Sequence, residues 1–512
     1  MSISRPIVLT ARTVSWLARC TRRIWLDLYG DRTLQVADNP VAARRAAAGV
    51  VHEAAVMATI REPAPPVDEP DWPSLVAETQ ALMRAGATEI RQGGMEACGG
   101  RRFRLRGRPD VMRRTPHPSL LGAWSYEPIE IKQHGMATSH DTIQLDFSRW
   151  LLTQAQGHTP DGELWLGADA DGQPAMILQR SEPLAALECD LRQIAELSSD
   201  TEPAIAFARH CGYCAWRNAC DAAADTRQDI ALLSRLDRRT ATALRTDGFT
   251  RLADIAALSP SRLMRYPYAD ETRAAHLHAH AQALIRGVPY DKGPPPSPLP
   301  MPALFFDIES CPHTQEPWAF GWLDAAGVPG MAIVSAWHVA AKSTHAIIAD
   351  IPVIFVRDPA EGWQQVVVRA GRDAGAILHW GRYEQECLAR TGGERAHAAL
   401  HRRLTDLHTV LDGRYALPIA RSTGQTTGSL KAVGTYLGHR WPDEADWLVA
   451  WERYTAWHEQ VALNPFEGTP AVTVNPHLAP ALDYLRADLE ALRLIWSWLH
   501  EHESPFGSPH QG

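Results

Sequence analysis

The chain has 512 residues, and because a typical domain has about 150 residues, we expect about three domains. Apolar residues make up 45% of the chain, which is enough to form the hydrophobic cores of these domains. Its 51 basic residues against 59 acidic ones give a net charge of −8, which excludes a uniformly basic coat for nucleic acid and leaves only local patches. The sequence shows no signal-peptide core, no apolar run of about 20 residues and no disulfide scaffold, so we expect a cytoplasmic protein with no membrane partner.

Residues 1–225 are predicted to form one domain that alternates helices and strands. Apolar residues recur at helical spacing over 12–29, 42–59 and 142–152. Strand-like segments cover 103–108, 126–133 and 164–168, and the proline- and acid-rich residues 61–73 are interpreted as a loop.

Four cysteines of this segment have the pattern of a metal or cluster site. Cys20 lies near the start of the chain, and Cys211-x2-Cys214-x5-Cys220 follows far downstream. Four thiolates are the ligand set of an iron–sulfur cluster or of a structural zinc, and residue type alone does not separate the two. A centre that joins Cys20 to the triplet would connect the two ends of the domain.

Between these cysteines lies an acid–acid–lysine set. Asp110 follows the predicted strand 103–108, and Glu130 and Lys132 are two residues apart on the next strand, so both side chains project from one face. Carboxylates of this kind hold Mg²⁺ or Mn²⁺, and a lysine beside them positions water or stabilises charge on a phosphate. Alone, the Glu130–Lys132 pair is also explained as an ion pair on an amphipathic strand.

Residues 226–289 are predicted to form a small helical domain. Apolar positions recur at helical spacing on both sides of Asp247-Gly248-Phe249, and residues 232–251 contain five arginines. This pattern favours a helix-hairpin-helix unit that grips DNA backbone, with a structural spacer as the alternative. A second arginine-rich stretch, 89–114, is either a nucleic-acid surface or a solvated one. Residues 290–302 are a proline-rich linker.

Residues 303–502 again alternate strands and helices, as in an α/β domain, and 503–512 form a tail. Asp307 and Glu309 share one face of the first strand and could bridge two metal ions. Tyr484 and Asp488 lie four residues apart on one face of a helix, where the tyrosine would orient water and the aspartate complete the metal shell.

Residues 14 to about 222 resemble the RecB-like PD-(D/E)XK nucleases that carry an iron–sulfur cluster, such as the CRISPR-associated RecB-like nucleases and the AddB nuclease domain. The matching residues are Gly49-x2-His52-Glu53, Gly107-Arg108-Pro109-Asp110, Glu130-Ile131-Lys132, Gln144 and the four cysteines. The resemblance implies a restriction-endonuclease-like fold, a [4Fe–4S] cluster on Cys20, Cys211, Cys214 and Cys220, and a catalytic metal on His52, Asp110 and Glu130. It also implies catalytic roles for Lys132 and Gln144. The chain departs from the family at Ser148, where a tyrosine is usual.

Residues 303–500 resemble the Tyr-type DEDD 3′–5′ exonucleases of the RNase H-like superfamily. The resemblance implies metal ligation by Asp307, Glu309 and Asp488 and a catalytic Tyr484. Glu384 stands where the family has an aspartate, and Asp406 either is the third acid or supports the fold. The whole order of segments resembles a family of RecB-like putative nucleases with a C-terminal exonuclease-like domain.

The sequence therefore predicts an α/β protein that hydrolyses DNA with Mg²⁺ or Mn²⁺, on single strands or ends, in repair, recombination or defence. No G-x4-G-K-[ST] loop is present, so a separate helicase would supply unwinding. One alternative is a DNA-binding adaptor with partly degenerate nuclease folds. Another is a helix-hairpin-helix glycosylase, although those enzymes keep their four cysteines together after the hairpin.

Overall fold

The computed structural model describes residues 7–37, 40–58, 71–99, 102–167, 173–293, 298–312, 314–340, 344–371, 375–422, 427–442, 446–463 and 477–503. The chain divides into an N-terminal unit, residues 1–226, and a C-terminal unit, residues 227–512. Both mix helices with sheets, which is the α/β class expected. Across the described residues no helix has the length and apolarity that crossing a membrane requires. Most of the predicted loop 61–73 and of the tail 503–512 lies outside the described ranges.

The elements of the N-terminal unit alternate along the chain. In order they are β1 (Ile7–Thr10), α1 (Ala11–Ser15), α2 (Thr21–Tyr29), α3 (Pro40–Ala58), α4 (Trp72–Ala85), β2 (Glu89–Arg91), β3 (Met95–Gly99), β4 (Phe103–Gly107), β5 (Val111–Thr115), β6 (Ser125–Lys132), α5 (Ser139–Gln156), β7 (Gly162–Leu166), β8 (Met176–Arg180), α6 (Ala185–Glu196) and α7 (Arg217–Arg227).

Two sheets organise this unit. The larger has the strand order β2-β5-β6-β7-β8, in which β6 and β7 are parallel and the other neighbours antiparallel. The helix α5 connects β6 to β7 and packs closely on the smaller sheet, β1-β4-β3, so that a Cβ at Gly107 would lie 2.4 Å from Cδ1 of Leu151. The glycine of the Gly-Arg-Pro-Asp motif is thus required by packing.

One sequence prediction about this unit was wrong in detail, and one strand was not predicted. The helix predicted over 12–29 is broken: Cys20 has extended backbone and is the N-cap of α2, and its sulfur accepts a hydrogen bond from Arg23 N at 3.4 Å. The strand before Asp110, β4, pairs with β1 and β3. The strand that pairs with β6 is β5, which begins one residue after Asp110 and was not predicted, with Val111 opposite Ile129.

The C-terminal unit begins with helices and continues as an α/β structure. In order its elements are α8 (Arg238–Thr246), α9 (Leu252–Ala257), α10 (Pro260–Leu263), α11 (Glu271–Arg286), β9 (Tyr290–Asp291), β10 (Pro302–Ser310), β11 (Pro317–Asp324), β12 (Pro329–Val334), α12 (Ala336–Ala340), β13 (His345–Ile348), β14 (Ile351–Val356), α13 (Pro359–Ala370), β15 (Ala376–His379), α14 (Tyr383–Thr391), α15 (Gly393–Leu400), β16 (Leu404–Asp406), α16 (Leu407–Arg414), β17 (Tyr415–Ala416), α17 (Leu430–Tyr436), α18 (Trp447–Leu463) and α19 (Leu478–Glu503).

A mixed sheet with the order β13-β14-β12-β11-β10-β15-β16 forms the centre of this unit. β10 lies inside it, antiparallel to β11 and parallel to β15, and is buried on both faces as strands of such sheets are. The long helix α19 covers one face and contributes Leu482, Leu485 and Leu489 to the core. The sheet thus brings the middle strand of the domain and its last helix together.

The helical segment 226–289 and the α/β segment 303–502 lie in the C-terminal unit, apart from residue 226. The first two residues of the predicted linker form the short strand β9, which pairs with β17. His280 of α11 contacts the carbonyl oxygen of Ile419 through Nε2 at 3.0 Å, and Arg421 N donates to Leu232 O at 2.8 Å. Polar contacts therefore tie the helices to the loop after β17.

Candidate metal and thiolate sites

The first acidic site lies where β5 and β6 pair. Ile131 N donates to Asp110 Oδ2 at 2.7 Å, which fixes this carboxylate beside β6. Lys132 Nζ lies 3.2 Å from Glu130 Oε2 and 4.0 Å from Asp110 Oδ2. The structure therefore brings together the two acids and the lysine that the sequence singled out.

The electrostatics of this site show an excess of negative charge. Glu130 is 1% exposed, and burial, with the neighbouring Asp110 second, raises its pKa to about 7. Burial also raises the pKa of Asp110. Burial by itself would lower the pKa of Lys132, but the two carboxylates outweigh it and raise that pKa. One ammonium does not balance the buried acids, so the site would be stabilised by a bound cation.

A further acid, Glu53, joins this site through Gln92. Gln92 Nε2 donates to Glu53 Oε1 at 2.5 Å and to Asp110 Oδ1 at 3.2 Å. Burial and the charge of Asp110 raise the pKa of Glu53 to about 7. Glu53 stands in the motif next to His52 and so carried a signal, whereas nothing in the sequence marked Gln92.

The other residues predicted for this site lie on the helices that flank the sheet. On α3, Val56 packs with Val111, Ile129 and Ile131, and His52 is one turn earlier on the same face. Among the described residues, His52 Nε2 is buried and accepts or donates no hydrogen bond. On α5, Ser148 donates to Glu130 Oε1 at 2.8 Å, and Gln144 lies one turn before it. Ser148, the departure from the family pattern, thus orients a carboxylate of the first acidic site.

The four cysteines Cys20, Cys211, Cys214 and Cys220 meet in a partly buried cluster, here called the thiolate cluster. Burial raises the pKa of Cys211 to about 11, and the other three sulfurs add to this effect because they are close. None of the four is in a disulfide. Within the described ranges, no three of these sulfurs lie within 4.8 Å of one another.

Hydrogen-bond donors and cations surround these sulfurs. Cys211 Sγ accepts from Ala208 N at 3.3 Å, and Arg23 Nη1 approaches Cys214 Sγ at 3.5 Å. Arg22 lies beside Cys220 and works against the rise that burial causes in the pKa of its thiol. Positive charge and N–H donors stabilise thiolates, so the surroundings of these sulfurs are compatible with ligation of a metal or an iron–sulfur centre.

The N-terminal helices and the cysteine triplet are joined by direct contacts as well. Leu26 packs with Cys214 and Trp216. Hydrogen bonds run between the two segments at Trp25 Nε1–Ser198 O (2.8 Å), Tyr29 OH–Leu197 O (2.7 Å), Val36 N–Ala215 O (2.9 Å) and Trp216 Nε1–Asp27 Oδ1 (2.7 Å). We call this contact region the seam.

The second acidic site lies between β10 and α19. Asp307, Glu309 and Asp488 each place a carboxylate oxygen within 4.8 Å of the others, and in the described part of the chain this is the only such group of three potential ligands. Burial, with the charge of Asp488 second, raises the pKa of both Asp307 and Glu309 well above the usual range. Burial also raises the pKa of Asp488, to about 6. An all-oxygen set of this kind suits Mg²⁺ or Mn²⁺.

Aromatic and basic side chains border the three acids. Trp441 Nε1 donates to Asp488 Oδ1 at 2.6 Å. Tyr484 is hydrogen-bonded to Asp488, and burial and the three acids raise its pKa. Lys431 Nζ lies 4.9 Å from the centre of the Tyr484 ring. Neither Lys431 nor Trp441 was assigned a role from sequence.

The two remaining acids predicted for this site differ in their surroundings. Glu384, 2% exposed, shares a hydrogen bond with Asp307 and lies 3.1 Å from Nδ1 of His379. Asp406 is outside the group of three. It is the N-cap of α16, accepts from His408 N at 2.9 Å, and binds Gly381 N at 2.8 Å through the same oxygen. Of the two roles open to Asp406, these contacts favour support of the fold.

The arginine-rich segments are partly paired within the chain. In the first, Arg106 bonds Glu96 at 2.6 Å and Arg113 lies 3.5 Å from Glu89. In the second, Arg245 pairs with Asp229 at 2.5 Å, while Arg238, Arg239 and Arg251 are exposed. Arg251 is the N-cap of α9 and follows the turn after α8, where Gly248 has a φ of +87°, whereas Arg238 and Arg239 begin α8 at its other end.

Comparison with family models, with curated proteins and with solved structures finds no match to this chain.

Proposed function

We propose that this chain is a divalent-metal-dependent nuclease with two active sites, which cleaves DNA on single strands or at ends. The observation that carries the proposal is the occurrence of two separate groups of buried carboxylates, each with a lysine beside it. Buried like charges are costly unless a cation compensates them, and such groups are typical of metal sites that hydrolyse phosphodiesters.

At the first site, a bound Mg²⁺ or Mn²⁺ would supply an activated water and charge neutralisation at the phosphate. Asp110 and Glu130 would hold it, with the unpartnered His52 as a third ligand. Lys132 donates to the carboxylates and orients the water or the phosphate oxygen. Gln144 faces the same side of α5 as Ser148, which fixes Glu130. This arrangement supports a RecB-like PD-(D/E)XK assignment for the N-terminal unit.

At the second site, Asp307, Glu309 and Asp488 would share the metal ions, with Glu384 as a further acid through Asp307. Tyr484 lies against Asp488 and would orient the attacking water. The acids sit on a central strand and on the helix that covers it, which supports an RNase H-like exonuclease assignment. The exposed Arg251 and the backbone of the α8–α9 turn would contact DNA backbone, as in a helix-hairpin-helix unit.

We also propose that the thiolate cluster holds a [4Fe–4S] centre rather than zinc. In a tetrahedral zinc site with Zn–S bonds of about 2.3 Å, the sulfurs lie about 3.8 Å apart. Among the described residues no three of these sulfurs lie within 4.8 Å of one another, which is compatible with thiolates that each bind a different iron atom. The resemblance of the four-cysteine pattern to that of the iron–sulfur RecB-like nucleases favours the cluster over zinc.

Two variants separate the nuclease sites. Lys132→Ala is expected to lower first-site cleavage by roughly 10²-fold or more, since an electrostatic contact to the reacting group is lost. Asp307→Ala/Glu309→Ala should abolish second-site cleavage. Labelled single-stranded DNA incubated with Mn²⁺ measures both, and the 5′ and 3′ labels distinguish the product patterns of the two sites. Cys98→Ala, at an exposed cysteine outside both sites, is the control.

If neither variant changes the products, both site assignments are wrong. Binding of the labelled strand without any products would instead support a DNA-binding adaptor with degenerate nuclease folds.

A further inference from the structure

Lys431 is a basic residue at the second acidic site, and the sequence motifs of that site give it no role. The chain contains only four lysines, Lys132, Lys292, Lys342 and Lys431, although it has 51 basic residues in all. Lys132 belongs to the first acidic site. Lys431 lies beside the second group of acids. Because arginine is the usual basic residue of this chain, we ask which role an ammonium group has at that position.

The position of Lys431 is fixed by its helix. Ser429 is the N-cap of α17 and its side chain accepts a hydrogen bond from Ala432 N at 3.2 Å, while Trp380 Nε1 donates to the preceding Gly428 O at 2.9 Å. Val433, one turn along the helix, is 2% exposed in the core shared with α19. Lys431 therefore projects from a helix that is anchored at both its start and its buried face.

Its ammonium group lies at the border of the acids and of solvent. Nζ is 4.9 Å from the centre of the Tyr484 ring, and Tyr484 in turn is hydrogen-bonded to Asp488. The positive charge works against the rise in the pKa of both Glu309 and Asp488, so it lies within electrostatic reach of both. Unlike the acids Glu309 and Asp488, which are both 6% exposed, Lys431 is only half-buried and remains accessible to a ligand.

We propose that Lys431 binds the phosphate group of the nucleotide that is processed at the second site, which rests on the proposed nuclease function of that site. Divalent ions would neutralise the acids, and the ammonium group of Lys431, as a compact point charge, would bind a phosphate oxygen. The face of Tyr484 holds the ammonium in place through a cation–π contact. The site would thus recognise a nucleoside monophosphate unit, at the end of a strand or as a product.

The test uses full-length protein with Lys132→Ala, which silences the first site, and compares Lys431→Ala and Lys431→Arg with Arg440→Ala, an exposed neighbour after α17. Calorimetric titration with thymidine 5′-monophosphate in Mn²⁺ measures phosphate binding, and titration with Mn²⁺ alone measures the metal site. We expect Lys431→Ala to weaken nucleotide binding about tenfold and cleavage about 10²-fold, with Mn²⁺ affinity equal or higher because a repelling charge is removed. Lys431→Arg should restore part of the nucleotide affinity, and Arg440→Ala should change neither.

A purely structural role would be shown if Lys431→Ala weakened Mn²⁺ binding and lowered the melting temperature, or if nucleotide affinity were unchanged. Either result would overturn the proposal. If the Lys132→Ala parent does not cleave DNA at all, the nuclease assignment of the second site fails, while the nucleotide titration still decides the role of Lys431. The Asp307→Ala/Glu309→Ala variant identifies which part of the nucleotide binding belongs to this site.

Discussion

At the scale of single residues, Gln92 shows how one side chain organises the first site. The φ angle of Gln92 is +49°, which lies in the left-handed region that residues other than glycine rarely adopt. In this conformation its own N–H donates to Asp110 O at 3.0 Å while its side chain bridges Glu53 and Asp110. Strained backbone of this kind is retained where the surrounding site requires it.

Two substitutions of Gln92 separate the contribution of its side-chain amide to stability from the cost of its strained backbone. Gln92→Ala keeps the strained backbone and removes the amide that is shared by two acids, so we expect it to destabilise the N-terminal unit by about 1–3 kcal/mol. Gln92→Gly also removes the amide but relieves the strain, and should be more stable than the alanine variant by about 1 kcal/mol. Urea unfolding measures both, and equal stability of the two variants would contradict the strain argument.

The sequence predicted the core of this site but not its support. Glu130 and Lys132 could be placed on one face because a strand has a period of two, and Asp110 came from the motif. Gln92 and the hydrogen bond from Ser148 to Glu130 depend on tertiary contacts between α5, β2 and β6, for which a local pattern carries no signal.

At the scale of elements, α11 meets the α/β structure of its own unit through buried histidines. His280 Nδ1 accepts from Ser234 N at 3.1 Å and its Nε2 donates to Ile419 O at 3.0 Å, which requires the neutral ring. Burial, with His276 second, lowers the pKa of His280 to about 3. Nearby, His276 Nδ1 lies 3.3 Å and Lys292 Nζ 3.4 Å from Asp412 Oδ1. These contacts make the packing of the helices sensitive to acid.

The sign of the pH effect follows from His280. The folded ring stays neutral while the unfolded one, with a pKa of about 6.5, gains a proton as the pH falls, so acid favours the unfolded state. Stability should be complete above about pH 6.5 and should fall by up to about 1.4 kcal/mol per pH unit below it, toward pH 3. The depressed pKa of Asp412, which neighbouring cations lower in spite of burial, adds a loss of the same sign at lower pH.

We expect His280→Gln, which retains an acceptor and a donor, to flatten this dependence between about pH 6.5 and pH 5. His500→Gln, at an exposed histidine of α19, should leave it unchanged. Urea midpoints of the C-terminal unit at several pH values provide the measurement. An unaltered slope in His280→Gln would show that this ring does not control the response.

The elements themselves were only partly predictable. The strand β10 and the helix α19 follow from clear periodicity. The break between α1 and α2 escaped prediction because apolar spacing continues across it, while the cause is the extended backbone of Cys20. The strand β5 was missed because Val111-Met112-Arg113-Arg114 does not alternate.

At the scale of the N-terminal unit as a whole, the seam and the thiolate cluster hold together segments that are distant in sequence. Cys20 caps α2 at one side, and the triplet Cys211, Cys214 and Cys220 follows the strands and helices of the unit at the other. A centre bound there would cross-link the unit, and its binding energy would add to folding.

An anaerobically purified [4Fe–4S] protein absorbs light at about 400 nm. We therefore expect the Cys20→Ala variant to lose this absorbance and to contain much less iron than the wild type. The melting temperature of the N-terminal unit should fall by several degrees. Cys189→Ala, at an exposed cysteine of α6, is the matched control and should retain both. A colourless wild-type protein that contains one zinc would contradict the cluster assignment.

The central claim is that the two acidic sites hydrolyse DNA. The most direct test of this claim is Mn²⁺-dependent cleavage of an end-labelled single strand, in which wild-type protein is compared with a variant that combines Lys132→Ala, Asp307→Ala and Glu309→Ala. We predict that the wild type produces fragments, that EDTA stops it, and that the combined variant retains a correct fold but at most about 1% of the rate. Undiminished cleavage by the combined variant, or a metal-loaded wild type that yields no products, would contradict the account.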